Sequence, residues 1–178
     1  MRKLLVMTAI ALVAIFIVAP RFVRWTSTRP KAVFGRQAIL QRTFVDSNTV
    51  ADSDGVVAVV MDSNIGGGVI STLVAFTDGK TTLYTTRAKL LTSDSPPVRE
   101  AADQFRAAAA AANAAHHFQT TADFDPPGNG KTRFYILTRT GTYATYADMN
   151  VILQNERQPL HPLLETGQAA VAEIQRTN

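Results

Sequence analysis

Cysteine is absent from this sequence, and histidine is scarce. Without cysteine the chain has no disulfide bond, thiolate metal site or cysteine nucleophile. Its three histidines are badly placed to bind a metal. His116 and His117 are adjacent, and neighbouring helical residues point about 100° apart, so the pair does not clasp one ion from one face. His161 has no partner at ligand spacing, and the pattern therefore predicts no metal site.

Acidic residues are missing from the first 36 residues, whereas seven Lys or Arg residues lie there. Residues 37–178 hold the other eleven of the 18 basic residues and all 14 acidic ones, which gives them a formal charge of −3. The high pI, about 9.7, therefore belongs to the N-terminal part. A basic tail favours either nucleic acid or a membrane surface. The apolar run between its charges favours the membrane, and we expect no nucleic-acid partner.

A long uncharged run separates these basic residues, from Leu4 to Ala19. As a helix its 16 residues span about 24 Å, slightly less than the roughly 30 Å hydrocarbon core of a bilayer. Trp25 follows at the position of an interfacial anchor. We therefore predict a single-pass anchor or signal anchor within residues 1–25, in the bacterial inner membrane, with the run from Leu4 to Ala19 in contact with lipid.

Two alternatives to this anchor stay open, and so does its orientation. A cleaved signal peptide fits the start of the chain, with Ala19 at the cut, although Ile17 is bulky for its position there. A buried helix of a soluble protein is the other alternative. The excess of Lys and Arg after the run favours a cytoplasmic domain, whereas the secretory-like start favours an external one. Residues 26–54 are predicted to be a basic linker, either solvated or resting on anionic lipid, with a short amphipathic helix at 35–44.

Residues 55–178 carry the pattern of one α+β domain. Three strands and a helix occur twice, in the order βββαβββα. Asp78-Gly79 marks a hairpin turn between the second and third strands. Hairpin-joined strands predict a two-layer domain, with an antiparallel sheet and both helices on one face; profilin-like and roadblock-like folds have a similar order. The predicted strands cover residues 56–61, 69–76, 81–86, 118–124, 132–138 and 141–147, and the predicted helices cover residues 93–118 and 161–175.

The first of these helices has one narrow apolar stripe. Ser95 suits the N-cap, and Pro96 suits the first helical position. The small side chains on the stripe predict a helix that lies close to the sheet, with one phenylalanine as its anchor. The stripe consists of Val98, Ala102, Phe105, Ala109 and Ala112.

The segment Asp125 to Tyr135, DPPGNGKTRFY, contains the Gly-Lys-Thr that ends many nucleotide-binding loops. Such a loop needs glycine at the first position of G-x-x-x-x-G-K-[ST] and a helix immediately after it. Asp125 stands at that glycine position, and the residues after the motif predict a strand. The two prolines and Asn129-Gly130 are turn formers. We therefore predict a turn here, and no nucleotide as a ligand.

Four residues remain as binding candidates: Asp62, Tyr84, His117 and Tyr135. Asp62 follows the first strand, where function often resides, although it also fits a simple turn. The leading hypothesis is a membrane-tethered domain that binds an unknown protein partner without catalysis. One alternative is a small ligand or lipid in a sheet groove near Tyr84 and Tyr135. Another is a small hydrolase or transferase in which folding joins Asp62 to His117. No motif assigns a catalytic or cofactor-binding residue.

Several sequence blocks resemble a family of uncharacterised bacterial proteins of about domain size. These blocks are TLVAxxDGxxxLY from Thr72, RFYxLTxxG from Arg133 and PLxPLxxxG from Pro159. The family has no assigned activity, so the resemblance implies no catalytic residue. This chain departs from the family pattern by its N-terminal anchor and by TRAKLLTSD in place of a Gly-rich connection. It also has Gln158 where a histidine is expected, which argues against an essential imidazole there.

Overall fold

The part of the chain that the computed structural model describes consists of residues 36–40, 51–53, 55–86 and 90–178. The predicted anchor, residues 1–25, lies outside these ranges. Within them, none of the helices has both the length and the apolar character needed to cross a membrane. The compact unit that contains the described residues runs from Lys31 to Asn178.

One antiparallel sheet of seven strands organises this unit. The strands are β1 (Val56–Asn64), β2 (Ile70–Phe76), β3 (Thr81–Thr85), β4 (Leu90–Ser93), β5 (Gln119–Thr120), β6 (Lys131–Thr138) and β7 (Thr142–Asp148). Their order across the sheet is β4-β3-β2-β1-β6-β7-β5. β1 is the central strand and pairs with β2 on one side and β6 on the other. Strands β1 to β4 therefore form one side of the sheet and β5 to β7 the other, and the two sets meet where β1 pairs with β6.

The central position of β1 explains its composition. Every residue from Val57 to Ser63 is buried. A continuous β-branched run is typical of a strand covered on both faces, and this prediction is confirmed. The hairpin turn after β2 is confirmed as well. Gly79 has a φ of 89°, which glycine adopts without the steric penalty of a Cβ atom, and the Phe76 N–H donates to the Lys80 carbonyl at 2.9 Å.

Within residues 90–178 the helices are α1 (Pro96–Ala114), α2 (Met149–Leu153) and α3 (His161–Arg176). α1 and α3 pack against one face of the sheet, which we call the first face. The five residues that α1 buries are those of its predicted stripe. α3 approaches so closely that a Cβ atom at Gly167 would lie 2.6 Å from Sδ of Met61. An α+β domain with an antiparallel sheet is therefore confirmed.

The stripe on α1 leads to opposite expectations for two neighbouring alanines. Ala109 is completely buried, whereas Ala110 is exposed. Because protein interiors are close-packed, Ala109→Leu is expected to lower the free energy of unfolding by about 1–3 kcal/mol. Ala110→Leu is expected to change it by less than about 0.5 kcal/mol. Urea unfolding of residues 31–178 measures both, and equal losses would mean that a different face of α1 meets the sheet.

The element order differs from βββαβββα at three places. β4 adds an edge strand beside β3, and only Leu91 of its four residues is buried, so no alternation marks it in the sequence. α2 is a helix of five residues, which is too short to show a helical period in the sequence. The Asp148 side chain accepts hydrogen bonds from its first N–H groups. The predicted strand 118–124 shrinks to the two residues of β5. The chain leaves the sheet there, and the Phe124 ring packs 6.3 Å from the Tyr135 ring, measured between centroids.

The opposite face of the sheet, the second face, carries an apolar cluster of its own. Leu40, from a helical segment at residues 36–40, belongs to this cluster together with Val60 and Tyr135. The exposed fraction of Leu40 is only 2%. The second face is therefore partly covered too, which the two-layer prediction did not include. The compact unit also takes in residues that the sequence assigned to a linker.

Candidate functional site

Asp62, near the end of β1, is completely buried on the second face. Nε and Nη2 of Arg36 both donate to its Oδ2 atom, at 2.8 and 2.5 Å. The Thr72 hydroxyl donates to Oδ1 at 2.7 Å. Arg36 also donates to the Phe124 carbonyl at 2.8 Å. Both carboxylate oxygens are thus occupied within the protein, so Asp62 fastens the segment 36–40 to the sheet and has no access to a substrate.

A second buried arginine lies on the strand beside Asp62. Arg133 of β6 is the cross-strand partner of Asp62, but its guanidinium bonds to the loop before β6. Nη2 donates to Oδ2 of Asp123 at 2.8 Å, and Nη1 donates to the Asp123 carbonyl at 3.0 Å. The guanidinium carbon lies 3.8 Å from the centre of the Tyr146 ring. The hydrogen bond from Arg133 holds the pKa of Asp123 below its ordinary value. Arg133 therefore ties this loop to the second face.

Sequence reasoning missed Arg133 and Asp123, although one signal was available. Arg133 lies within a predicted strand that is mainly apolar after it, and Thr132 and Phe134 on either side of it are buried. A charged side chain that is buried is normally paired. The arginine within β6 therefore implied a carboxylate partner, but its identity depends on how the loop folds.

Tyr84 and Tyr135 also lie on the second face, but they do not line a groove of ligand size. Tyr135 is completely buried. Its burial raises its pKa, and the hydrogen bond from Arg133 acts in the opposite direction. Burial also raises the pKa of Tyr84. The cavity beside Tyr84 has a volume of only about 40 Å³, whereas ligand pockets start at about 300 Å³.

His117 follows the C-terminus of α1, which lies on the first face. The His117 N–H donates to the Ala112 carbonyl at 3.2 Å, and the His116 N–H donates to the Asn113 carbonyl at 2.8 Å. His116 has a φ of 61°, so these bonds form a Schellman motif that ends the helix. Asp62, in contrast, lies on the second face of the sheet. The fold therefore does not join Asp62 and His117 into a catalytic pair.

The Gly-Lys-Thr segment forms a turn that leads directly into β6. Gly130 has a φ of 71°, and the Lys131 N–H donates to the Gly128 carbonyl at 3.0 Å. β6 begins at Lys131, where a nucleotide-binding loop would continue as a helix. The interpretation as a turn is confirmed.

A cleft of about 540 Å³ opens on the first face between α1 and the sheet. Its floor is a lateral row of side chains, because Val59, Ile136 and Tyr143 are successive partners on β1, β6 and β7. Its wall is one flank of α1, where Ala110 and Ala114 leave space that larger side chains would fill. Pockets for small molecules have volumes of about 300–1,000 Å³ and largely apolar linings. This cleft meets the volume criterion, and its floor is apolar.

Polar groups surround the mouth of this cleft. Arg106 of α1 borders it, and its Nη1 atom donates to the Phe76 carbonyl at 2.7 Å. Its Nη2 atom forms an ion pair with Asp103, one turn away on α1. An apolar floor with a polar rim suits a small amphipathic molecule. The other polar lining residues are Asp52, Asn113, Thr138, Arg139, Thr140 and Tyr143.

The cleft residues were not among the candidates from sequence. One pattern pointed to them: Arg106, Ala110 and Ala114 recur every four residues along α1, beside the buried stripe. Small residues on a helix flank leave a gap only where no side chain of another element fills the space beside them. Periodicity does not show where that happens.

A second cleft, of about 370 Å³, lies beside Arg133 and Tyr146. Two of the aspartates that border it are engaged within the protein. Asp123 pairs with Arg133, and the Asp148 side chain binds the first N–H groups of α2. Across the described ranges, no three metal-binding side chains come together. The first-face cleft is therefore the stronger candidate.

Comparison with known proteins adds no relative: the chain matches no protein-family model, no curated protein and no solved structure. The candidate site therefore rests on its own geometry.

Proposed function

We propose that this protein is a binding domain whose ligand is a small amphipathic molecule held in the cleft between α1 and the sheet. The observation that carries this proposal is the cleft itself, with a volume of about 540 Å³, an apolar floor and a polar rim. The described lining contains no histidine, and its only carboxylate belongs to Asp52. This composition supports binding over acid–base catalysis.

Ala110 provides the test of this proposal, because its side chain borders the cleft and is exposed. The neutral fluorophore N-phenyl-1-naphthylamine is titrated into the full chain in lipid nanodiscs, with empty nanodiscs as the blank. Saturable binding of one molecule per chain is expected. Ala110→Leu is expected to weaken it by about 10-fold or more, since the added side chain occupies the cleft and each 1.4 kcal/mol is a factor of ten.

Ala107→Leu is the matched control, because Ala107 is exposed on α1 and does not border the cleft. It is expected to bind the fluorophore as tightly as the wild-type chain. Unchanged binding in Ala110→Leu would refute the cleft as the site.

We also propose that the domain is tethered to the bacterial inner membrane through the apolar run from Leu4 to Ala19. The support is the length of that run and the basic residues on both sides of it. Removal of residues 1–25 is expected to move the protein from the membrane fraction to the soluble fraction. Carbonate extraction and centrifugation measure this, with the full chain as control. An uncleaved full chain in the soluble fraction would contradict the tether.

A protein-interaction role, the leading hypothesis from the sequence, is the second candidate. Large apolar side chains are exposed near the end of the sheet where β1 stops: Ile65 is 62% exposed, and Val151 of α2 is 52% exposed. Backbone bonds join these two regions through Gly130, which donates to the Asn64 carbonyl at 3.0 Å and accepts from Met149 at 3.1 Å. Exposed apolar groups that lie together mark interaction sites. A cleft that binds no fluorophore would favour this candidate.

A further inference from the structure

Tyr146 of β7 presents an open aromatic surface on the second face of the sheet. It is 54% exposed and borders the second cleft, of about 370 Å³. Its partner on β6 is Arg133, whose guanidinium carbon lies 3.8 Å from the centre of the ring. The Arg133 side chain is only 3% exposed, so it covers the inner face of the ring. The outer face of the Tyr146 ring is therefore left to solvent.

The Tyr146 ring is held in place before any ligand arrives. Its hydroxyl donates to Oδ2 of Asp123 at 3.3 Å, and the same oxygen accepts from Arg133 at 2.8 Å. The loop that borders the cleft is fixed as well, because Nδ2 of Asn64 donates to the Pro127 carbonyl at 3.0 Å. A flat surface that is already ordered loses little entropy when a ligand packs on it.

Charged groups of both signs border the same cleft. Asp123 is paired with Arg133, and the Asp148 carboxylate accepts two N–H groups of α2. Asp125 and Lys131 are exposed, and within the described part of the chain neither of them forms an ion pair. Because carboxylates and cations lie side by side, the cleft has no strong preference for an anion or a cation.

We propose that the second cleft binds a neutral oligosaccharide, with one sugar ring stacked on the outer face of Tyr146. A cationic ligand is disfavoured there, because the buried guanidinium of Arg133 lies directly behind the ring and repels it. An alkyl chain would meet mainly charged and polar groups. This site is separate from the first-face cleft, and the proposal does not depend on what that cleft binds.

A sugar ring has the two kinds of surface that this cleft can hold. When its hydroxyl groups are equatorial, each face of the ring carries C–H groups, which pack against the partly negative face of an aromatic ring. Each hydroxyl both donates and accepts hydrogen bonds. The exposed carboxylate of Asp125 accepts from such hydroxyls, and the exposed ammonium of Lys131 donates to them. The proposal is therefore restricted to sugars with equatorial hydroxyl groups.

The test uses cellotriose and triacetylchitotriose, two neutral trisaccharides whose ring hydroxyls are equatorial. Equilibrium dialysis of each labelled sugar against the full chain in lipid nanodiscs measures its dissociation constant, with empty nanodiscs as the blank. Saturable binding of one molecule per chain is expected for at least one of them. Glucitol has similar hydroxyl groups but no flat ring, and it is expected to bind at least about 10-fold more weakly.

Three variants identify the groups responsible. Tyr146→Leu keeps an apolar side chain but removes the flat ring, and it is expected to weaken binding by at least about 10-fold. Tyr146→Phe keeps the ring over Arg133 and is expected to retain binding. Asp125→Asn is expected to weaken binding by about 3- to 10-fold. The matched control is Glu100→Gln, on an exposed residue of α1 that does not border the cleft, and it is expected to change nothing.

The outcomes separate this site from the first-face cleft and from other ligands. Failure of both trisaccharides to bind, or unchanged binding in Tyr146→Leu, would overturn the proposal. Tighter binding of adenosine than of either trisaccharide would also overturn it, in favour of a planar aromatic ligand. Ala110→Leu, which alters only the first-face cleft, is expected to leave the binding of the trisaccharides unchanged, so each site can fail without the other.

Discussion

Replacement of Arg36 by methionine is expected to lower the free energy of unfolding by about 3–5 kcal/mol. The arginine provides two hydrogen bonds to a carboxylate, that of Asp62, which is completely buried. Without the arginine, the carboxylate keeps its hydrogen bond from the Thr72 hydroxyl within the described part of the chain. An uncompensated charge in the interior is strongly destabilising because it has lost its hydration. Urea unfolding of residues 31–178, with and without the substitution, measures the loss.

The double variant Arg36→Met, Asp62→Leu is the informative control. Replacing both partners of a buried ion pair by apolar groups is often nearly neutral, so most of the stability lost in Arg36→Met is expected to return. Arg157→Met, on an exposed arginine, is expected to stay within about 0.5 kcal/mol of the wild-type chain. A loss below about 1 kcal/mol in Arg36→Met would show that the segment 36–40 is not fastened to the sheet by this pair.

Phe105→Ala is expected to lower the free energy of unfolding by about 3–5 kcal/mol. Phe105 is completely buried under α1, and its ring centroid lies 6.5 Å from that of Phe134 on β6. A Cβ atom added at Gly167 of α3 would lie 3.2 Å from the same ring. The side chain thus fills the space between both helices and the sheet, and its removal leaves a cavity that the close-packed surroundings cannot collapse to fill.

The matched control for this substitution is Gln104→Ala. Gln104 precedes Phe105 on α1 and is exposed, so its loss is expected to change stability by less than about 0.5 kcal/mol. Thermal and urea unfolding of residues 31–178 compare the two variants. A harmless Phe105→Ala would mean that the ring does not anchor the helix.

Local regularities of the sequence were enough to predict the main elements. The stripe on α1 depends only on the helical period, and the structure buries the same five residues. The buried run of β1 and the turn at Gly79 likewise depend on residues that are close in sequence. β4 and α2 were missed because each is too short to show a period, and they are held by neighbours: β4 by pairing with β3, and α2 by its cap at Asp148.

The partners of the buried charges could not be predicted in this way. Asp62 was singled out as a functional candidate because it follows a strand, but its partner Arg36 lies 26 residues away, in a segment assigned to the linker. Arg133 and Asp123 are ten residues apart, and a loop brings them together. A carboxylate has the same identity in the sequence whether it binds a substrate or anchors a segment. Burial and the position of its partner decide between these roles.

By itself, the sequence determined the α+β class, the face of α1 that meets the sheet, and the turn at Gly-Lys-Thr, because periodicity and turn chemistry act over a few residues. Only the tertiary structure decided where the candidate cleft lies. The cleft is lined by three segments far apart in the chain, at residues 52–59, 106–114 and 136–143. Strand register aligns its floor, and the small residues on the flank of α1 leave its volume open. Both features are set by contacts between distant residues, which local sequence patterns do not encode.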